Sequence, residues 1–508
     1  MEGLQLSIIL LPLITSILLI LIDKLWFHRN TRGLNLPPGP WKLPIIGSLH
    51  HLAGDLPHRR FRSLAEKYGP LFHLKLGEVD LVVIASPELA AESMKAHDTA
   101  FASRPQFMAT RIIMCDGGDI VFAPFGKLWG QLRKILTVEL FTAKRVKHFR
   151  SFMQKEGDIL VDKIRAAGGS SAVNLTDLLL SMANNTISRT SFGMECAHQD
   201  KIFKAVKETF KYTSGLDLVD LYPSFNKFLG EITGLRRHLE KVHHVLDSTL
   251  NEIFEEHEDK YNSRRSDEAV ADEDLVDVLL RLNRSGELDA SVKMENIKGV
   301  VVDLILGGTE TTSAILEWTM SELIRHPEVM RKAQSEVRNA FRGKTEIHEE
   351  DVTDLPYLNM VVKESLRLRS PAPFLVPRHV SETIEFGGYT IPAGTRVLIN
   401  AWAIMRDPTY WKDSETFNPE RVKTAEQDFN ASRFQYLPYG GGRRICPGIN
   451  FGMASIEIIL VNLLYHFDWE LPGGMRAEDL DMEETMGLAL TRKNPLYVVA
   501  TPHHNKII

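Results

Sequence analysis

The hydrophobic pattern changes character along the chain, and each change marks a region. From Gly3 to Ile22 no position is charged and most are Leu or Ile, a run long enough to cross a bilayer as a helix. Asp23 follows, then Lys24, Arg29 and Arg32, and this basic excess puts that flank in the cytosol. The length of the run, and the lack of a small-residue cleavage site after it, argue against a removed signal peptide. Next comes Leu36-Pro37-Pro38-Gly39-Pro40. Proline fixes φ and disfavours helix at the residue before it, so this stretch reads as a stiff tether. The pattern predicts an anchor over residues 1–24, a basic and proline-rich hinge over 25–50, and one globular domain over 51–508.

Within the domain, short strands are predicted at Leu71–Leu76 and Leu81–Ile84, separated by Gly77 and Asp80. From about Pro87 to Val380 the periodicity is mainly helical. Strand signals return at Ile384–Phe386 and Arg396–Asn400, with Gly387-Gly388 and Pro392-Ala393-Gly394 as turns. A last pair lies near Leu488–Leu490 and Leu496–Val499. The segment Glu255–Asp274 is rich in charge and poor in apolar residues, as in a solvated helix end and loop. No internal repeat is evident. The expected class is mainly α with small β-sheets.

A chain of 508 residues would often divide further, but no linker after residue 50 supports a split. Hydrophobic residues make up 44% and the formal net charge is -6, so a large core is available and no basic stripe suggests nucleic acid. Cys115, Cys196 and Cys446 are few, odd in number and far apart, which argues against a disulfide framework. Cys115 and Cys196 read as buried, inert small hydrophobes. Sequons start at Asn174, Asn184, Asn283 and Asn430; with the domain in the cytosol they stay unmodified.

Cys446 is different. It lies in the run Pro438-Tyr439-Gly440-Gly441-Gly442-Arg443-Arg444-Ile445-Cys446-Pro447-Gly448, just before an apolar, helix-patterned stretch from Phe451 to Leu464. Consecutive glycines let a backbone turn tightly against something flat. A thiolate here would meet the positive end of a helix dipole and backbone N–H groups. Gly448 omits a side chain where the helix would press on a planar cofactor, and Arg444 offers a cation to a propionate. On this ground alone the thiolate is poised either to bind a metal or to act as a nucleophile, although no His or Asn partner for the latter stands out.

The run resembles the haem-binding loop of the cytochrome P-450 superfamily, F-x-x-G-x-R-x-C-x-G, with Tyr439, Gly442, Arg444, Cys446 and Gly448 in its positions and Tyr439 where Phe is usual. The resemblance covers nearly the whole chain and is nearest to plant microsomal enzymes of specialised metabolism. It implies haem b with Cys446 as axial ligand, since a thiolate donates electron density to iron and favours O–O cleavage.

A second signature lies in the helix predicted from Glu295 to Ile324. Its centre, apolar except for Asp303, runs into Gly307-Gly308-Thr309-Glu310-Thr311-Thr312. Glycines inside a helix cost about 1 kcal/mol each and point to a bend, a widened turn or a close approach. A groove there would hold dioxygen and water, with Thr311 donating a hydrogen bond and Glu310 feeding protons. The structural alternative is a core helix whose hydroxyl bonds back to its own turn. The segment is similar to the family's A/G-G-x-D/E-T pattern, with Gly307 and Glu310 where plant members often carry Ala and Asp.

Glu364 and Arg367 are three apart on one helix face. The resemblance makes them a buried structural pair completed by Arg421, with Val422 where Phe is usual. Trp129 and Arg133 share a face and resemble a W-x-x-x-R propionate contact; Arg378 resembles another. No G-x-G-x-x-G sits in a βαβ setting, so electrons from NADPH are expected through a separate NADPH–cytochrome P-450 reductase on the same endoplasmic reticulum membrane. Arg133, Lys134, Lys144, Arg145, Lys147 and Arg443 are candidates for its docking face. By similarity the substrate pocket draws on Ile112, Ile120, Val301, Ile305, Gly308, Phe374, Leu375, Val376 and Leu488, an apolar set suited to a lipophilic ligand. The expected activity is monooxygenation of a terpenoid, with a phenolic, indole or oxime substrate as alternatives. An O₂-independent isomerase or dehydratase, or a non-catalytic haem protein, are the other function classes.

Overall fold

Residues Leu71–Leu76 (β1) and Val79–Ile84 (β2) form an antiparallel hairpin pairing Leu71 with Ile84 and Leu76 with Val79. Gly77 makes its turn with φ +60, and a Cβ there would lie 2.7 Å from the Leu221 carbonyl oxygen. The computed structural model describes residues 33–169, 171–193, 198–212, 215–263, 273–344, 347, 355–422, 434–487 and 489–503. The expected anchor, Cys196, residues 264–272 of the charged stretch, Asn430 and Leu488 lie outside them. Cys115, expected to be buried, is exposed, in a turn where its φ is +46.

Arg378–His379 (β3) and Arg396–Ile399 (β4) complete the first sheet in the order β1-β2-β4-β3, with β4 parallel to β2. The predicted strand over 396–400 stops one residue early. Asn400 turns out of the sheet to cap the short helix Ala401–Ile404, accepting from the Ala403 N–H at 3.1 Å and donating to the His58 carbonyl at 2.9 Å. Ile384–Phe386 pairs with Tyr389–Ile391 as a hairpin. Tyr497–Pro502 is the middle strand of a small sheet with Ala172–Asn174 and Phe467–Glu470, two strands too short to show alternation in the sequence.

Helices form the bulk of the domain. Those used below are Lys127–Lys134 (α1), Ala143–Ala166 (α2), Leu175–Phe192 (α3), Leu235–Ser263 (α4), Met294–Arg325 (α5), Pro356–Leu368 (α6) and Ile449–His466 (α7). The helix predicted over 295–324 is α5, about 48 Å long at 1.5 Å per residue, and it packs against α3, α6 and α7. Both α5 and α7 are apolar on nearly every side and mostly buried. A helix apolar all round belongs in a large core or a bilayer, and here neighbouring helices cover it. Trp318 of α5 is fully buried, its indole N–H bonded to the Leu490 carbonyl at 2.9 Å.

One buried ion group ties α6 to the loop before the cysteine segment. Glu364 and Arg367 are both inaccessible to solvent and meet through two bonds of 2.8 and 2.9 Å. Arg421 adds a bond of 2.9 Å to the same carboxylate, and the Asn418 N–H adds one of 3.0 Å. Arg367 also donates to the carbonyls of Met405 and Ser414, both at 2.8 Å. Removing one member strands a desolvated charge, so Arg367→Ala should cost about 3–5 kcal/mol, measured as a lower urea midpoint or loss of soluble protein. A midpoint equal to wild type would deny the group a role in stability.

Candidate active site

The cysteine loop is shaped by its glycines. Gly440 and Gly442 have φ of +71 and +67, a region that suits residues without Cβ. A Cβ at Gly442 would also lie 2.4 Å from the Met94 carbonyl oxygen. The loop closes through the Cys446 N–H to the Tyr439 carbonyl at 3.0 Å, and α7 begins at Ile449, just after Gly448. Burial pushes the Cys446 thiol up; the Gly448 N–H and the Arg133 guanidinium oppose that. A Cβ on Gly448 would meet only the Cys446 sulfur, at 3.9 Å, so the space beside it opens into a cavity.

That cavity, about 320 Å³ in volume, is bounded by Tyr439, Cys446 and Gly448 and by Gly307, Gly308, Thr311 and Thr312 of α5. Its rim carries Trp129, Arg104, Arg133, Arg378 and Arg444. Arg133 donates to the Ile445 carbonyl at 2.7 Å. Arg444 bonds the carbonyls of Ala102 (2.8 Å), Ile120 (3.2 Å) and Ala123, and its guanidinium lies 4.4 Å from the Trp129 ring centre. Arg104 bonds the carbonyls of Val121 (3.1 Å), Val376 (2.7 Å) and Pro377 (2.9 Å). Burial lowers all these arginines, Arg378 to about 10 and Arg444 to about 9; the charges of Arg378 and Arg444 lower Arg104 further. Facing acids are sparse: Asp98 lies 4.0 Å from Arg378, and Asp119 acts on Arg444 and Arg104. A cavity with excess buried positive charge on its rim, an open floor at Gly448 and a thiol beneath fits a planar, dianionic, iron-bearing group such as haem.

Arg104 escaped the sequence reading. In Phe101-Ala102-Ser103-Arg104-Pro105 it is a lone arginine outside any periodic segment; its apolar surroundings are the only signal.

The other expected site residues divide. Ile120, Gly308, Leu375 and Val376 line the cavity. Val301 and Ile305 do not; both are buried in the main core. At 3.6 residues per turn Ile305 is about 100° round the helix from Leu304, which does line the cavity. A Cβ on Gly308 would come 2.8 Å from Ile187 of α3, so that glycine admits the neighbouring helix. Ile112 is half-buried at the edge of the same core. Phe374 is turned away into a separate cluster, 5.2 Å between ring centres from Phe61. The chain between Phe374 and the cavity-lining Val376 turns at Leu375, whose φ is +57. Val121, inside the expected segment Ile112–Pro124, lines the cavity, and Leu304 and Ile187 line it without having been expected.

Thr311 faces the cavity, with its hydroxyl donating to the Gly307 carbonyl in its own turn. Glu310 is half-buried, is absent from the cavity wall, and is raised by burial against the opposing charge of Lys207.

The cytochrome P-450 family profile matches residues 37–499. Premnaspirodiene oxygenase of Hyoscyamus muticus is 44% identical over 497 residues, 98% of each chain. The 5-epiaristolochene 1,3-dihydroxylase of Nicotiana tabacum is 44% identical over 498 residues, again 98% of each. A solved zebra fish cytochrome P-450 structure with progesterone superposes with a TM-score of 0.75 at 26% identity, covering 89% of this chain and 100% of that one. A cysteine loop, a glycine-threonine helix and an arginine rim around one cavity thus sit in a chain that belongs to the cytochrome P-450 family of haem monooxygenases.

Proposed function

We propose that this enzyme inserts one oxygen atom from O₂ into a lipophilic terpenoid, with electrons from NADPH supplied by a membrane-bound reductase. The carrying observation is the single cavity with the Cys446 thiol and Thr311 both on its wall. The names of the two plant relatives, premnaspirodiene oxygenase and 5-epiaristolochene dihydroxylase, support the substrate class, as do the apolar cavity residues Ile120, Leu304, Leu375 and Val376.

When bound, haem with a cysteine thiolate ligand supplies the O₂ activation. Cys446 would hold the iron. Arg104, Arg133, Arg378 and Arg444 would hold the propionates, with Trp129 packed beside Arg444. Tyr439 would cover the sulfur side. Thr311 would place a proton in the cavity: its one hydrogen now serves the Gly307 carbonyl, so donation inward needs rotation of the hydroxyl about its Cβ–Oγ bond, while its oxygen is open to a donor such as water. Glu310, raised by burial, would replenish that proton.

Membrane placement draws on one end of the domain. Leu218, Phe225, Phe228 and Ile232 are exposed. Their segment is fastened to the start of the domain: the Tyr222 hydroxyl bonds the Ile45 carbonyl at 3.3 Å, and the Glu78 N–H bonds the Leu221 carbonyl at 2.9 Å. Trp41 and Ile46 are exposed nearby in sequence to that fastening point. An apolar patch beside the exit of the expected anchor suits a bilayer surface, with the endoplasmic reticulum as the membrane and the domain in the cytosol. For the reductase, Lys134, Lys144 and Lys147 remain exposed candidates. Arg133 is turned onto Ile445, Arg145 is held by Glu273 at 3.1 Å, and Arg443 by Asp98 at 3.1 Å.

Reduced protein with carbon monoxide should show a Soret band at about 450 nm, the mark of a sulfur ligand, and Cys446→Ala should lose it; a band unchanged by that substitution would refute the assignment. Thr311→Ala should keep the haem spectrum but divert reducing equivalents from oxygenated product to released hydrogen peroxide, and unaltered coupling would refute its proton role. Incubation with reductase, NADPH and a panel of terpene hydrocarbons should give products one oxygen heavier that require air. Turnover under nitrogen without reductase would point instead to an isomerase or dehydratase. In microsomes the full chain should show no mobility shift on deglycosylation, since Asn184 is buried in α3 and the domain faces the cytosol; a shift would reverse the topology.

A further inference from the structure

One face of α5, on the side away from Thr311 along the axis, grips the chain segment that crosses the cavity. Asn296, Gly299 and Asp303 are spaced so as to share that face. Asn296 donates to the Gly118 carbonyl at 2.9 Å. Gly299 leaves room for Asp119, whose Cβ would lie 3.4 Å from a Cβ at 299. One oxygen of Asp303 accepts the N–H groups of Ile120 at 2.9 Å and Val121 at 3.2 Å. Asp119 folds back along the same segment and accepts the Phe122 N–H. Two carboxyl groups therefore hold the same few residues, and both Ile120 and Val121 line the cavity.

The remaining oxygens are unusual. Oδ1 of Asp303 and Oδ2 of Asp119 are both buried with no hydrogen-bond partner. Two desolvated carboxylates cannot both stay ionised at close range, and one hydrogen between them would satisfy both orphans at once. We propose that Asp119 and Asp303 share a single proton, forming a latch that fastens segment 118–122 to α5 and so positions Ile120 and Val121 against the substrate. The acid–carboxylate bond is closed when the pair carries one proton and opens when it carries none.

The surrounding charges are consistent with this. Arg104 and Arg444 are the cations that face Asp119, and Asp119 is the charged group that faces Asp303. Burial raises Asp119 to about 7, despite both arginines; burial and the Asp119 charge raise Asp303 well above the usual carboxylate range. Since both shifts are upward, the proton is held at neutral pH and lost as pH rises through the pair's upper step. The latch should then loosen on the alkaline side. Asp119 and Asp303 are positioning residues, acting through the two side chains they hold.

The test uses the haem-loaded full chain and 1-phenylimidazole, a probe that carries its own nitrogen ligand and places its ring in the cavity, so it does not depend on the terpenoid assignment. Affinity is read from the shift of the Soret band between pH 7 and pH 9. In wild type it should weaken by about threefold or more as like charges appear in the pair. Asp303→Asn keeps an acceptor for the two N–H groups and supplies a fixed donor to Asp119, so its profile should be flat, as should that of Asp119→Asn. A flat wild-type profile overturns the latch, and so does an Asp303→Asn profile that slopes like wild type. If either variant fails to take up haem, wild type alone decides. Amide exchange in the peptide covering 116–124, corrected for its intrinsic pH dependence, must quicken between pH 7 and pH 9; unchanged protection overturns the proposal.

Discussion

The constraint on which the site depends is positive charge held out of water. Arg104, Arg378 and Arg444 crowd one rim, lower one another or are lowered by burial, and satisfy their N–H groups largely on backbone carbonyls. Carbonyl oxygens fix where each guanidinium points but do not cancel its charge, and desolvated charge without a counterion is costly. Among the described residues, Asp98 and Asp119 are the acids set against them. A bound group with two carboxylates would complete this balance, and its binding would then add to the stability of the folded state.

That arrangement explains which parts were legible in the chain. The long helix α5 and the cysteine loop announced themselves because each breaks a local rule: glycines within an apolar helix, and glycines beside a cysteine at a helix start. The observed α5, Met294–Arg325, extends the expected span by one residue at each end. The first hairpin was visible through two short β signals with Gly77 between them, although the second strand begins at Val79 and so takes in Asp80. Ala172–Asn174 and Phe467–Glu470 were not, because three or four residues carry no period and their pairing with Tyr497–Pro502 is set by distant chain.

Within the site, residue type was more legible than direction. Leu375 and Val376 line the cavity while Phe374 does not, and the chain turns between them through a left-handed φ at Leu375 that nothing in an apolar tripeptide encodes. On α5 the error was one of phase: Leu304, Gly307, Gly308, Thr311 and Ile315 define the cavity face, and Ile305 falls on the flank. Arg104 was invisible for another reason. Its function comes from three carbonyls on two distant loops, and no spacing rule connects them.

The same helix therefore carries two separate tasks. Asp303 and Thr311 are eight residues apart, just over two turns, about 12 Å along the axis. Near one end of the cavity wall the helix fixes a loop; near the other it presents a hydroxyl. Gly307 and Gly308 lie between, and they serve opposite needs: a Cβ on Gly308 would strike Ile187, whereas one on Gly307 would meet nothing within 4 Å. Gly308 is thus explained by packing against α3. Gly307 faces the open space itself, where a side chain would take up cavity volume, and its carbonyl accepts the Thr311 hydroxyl.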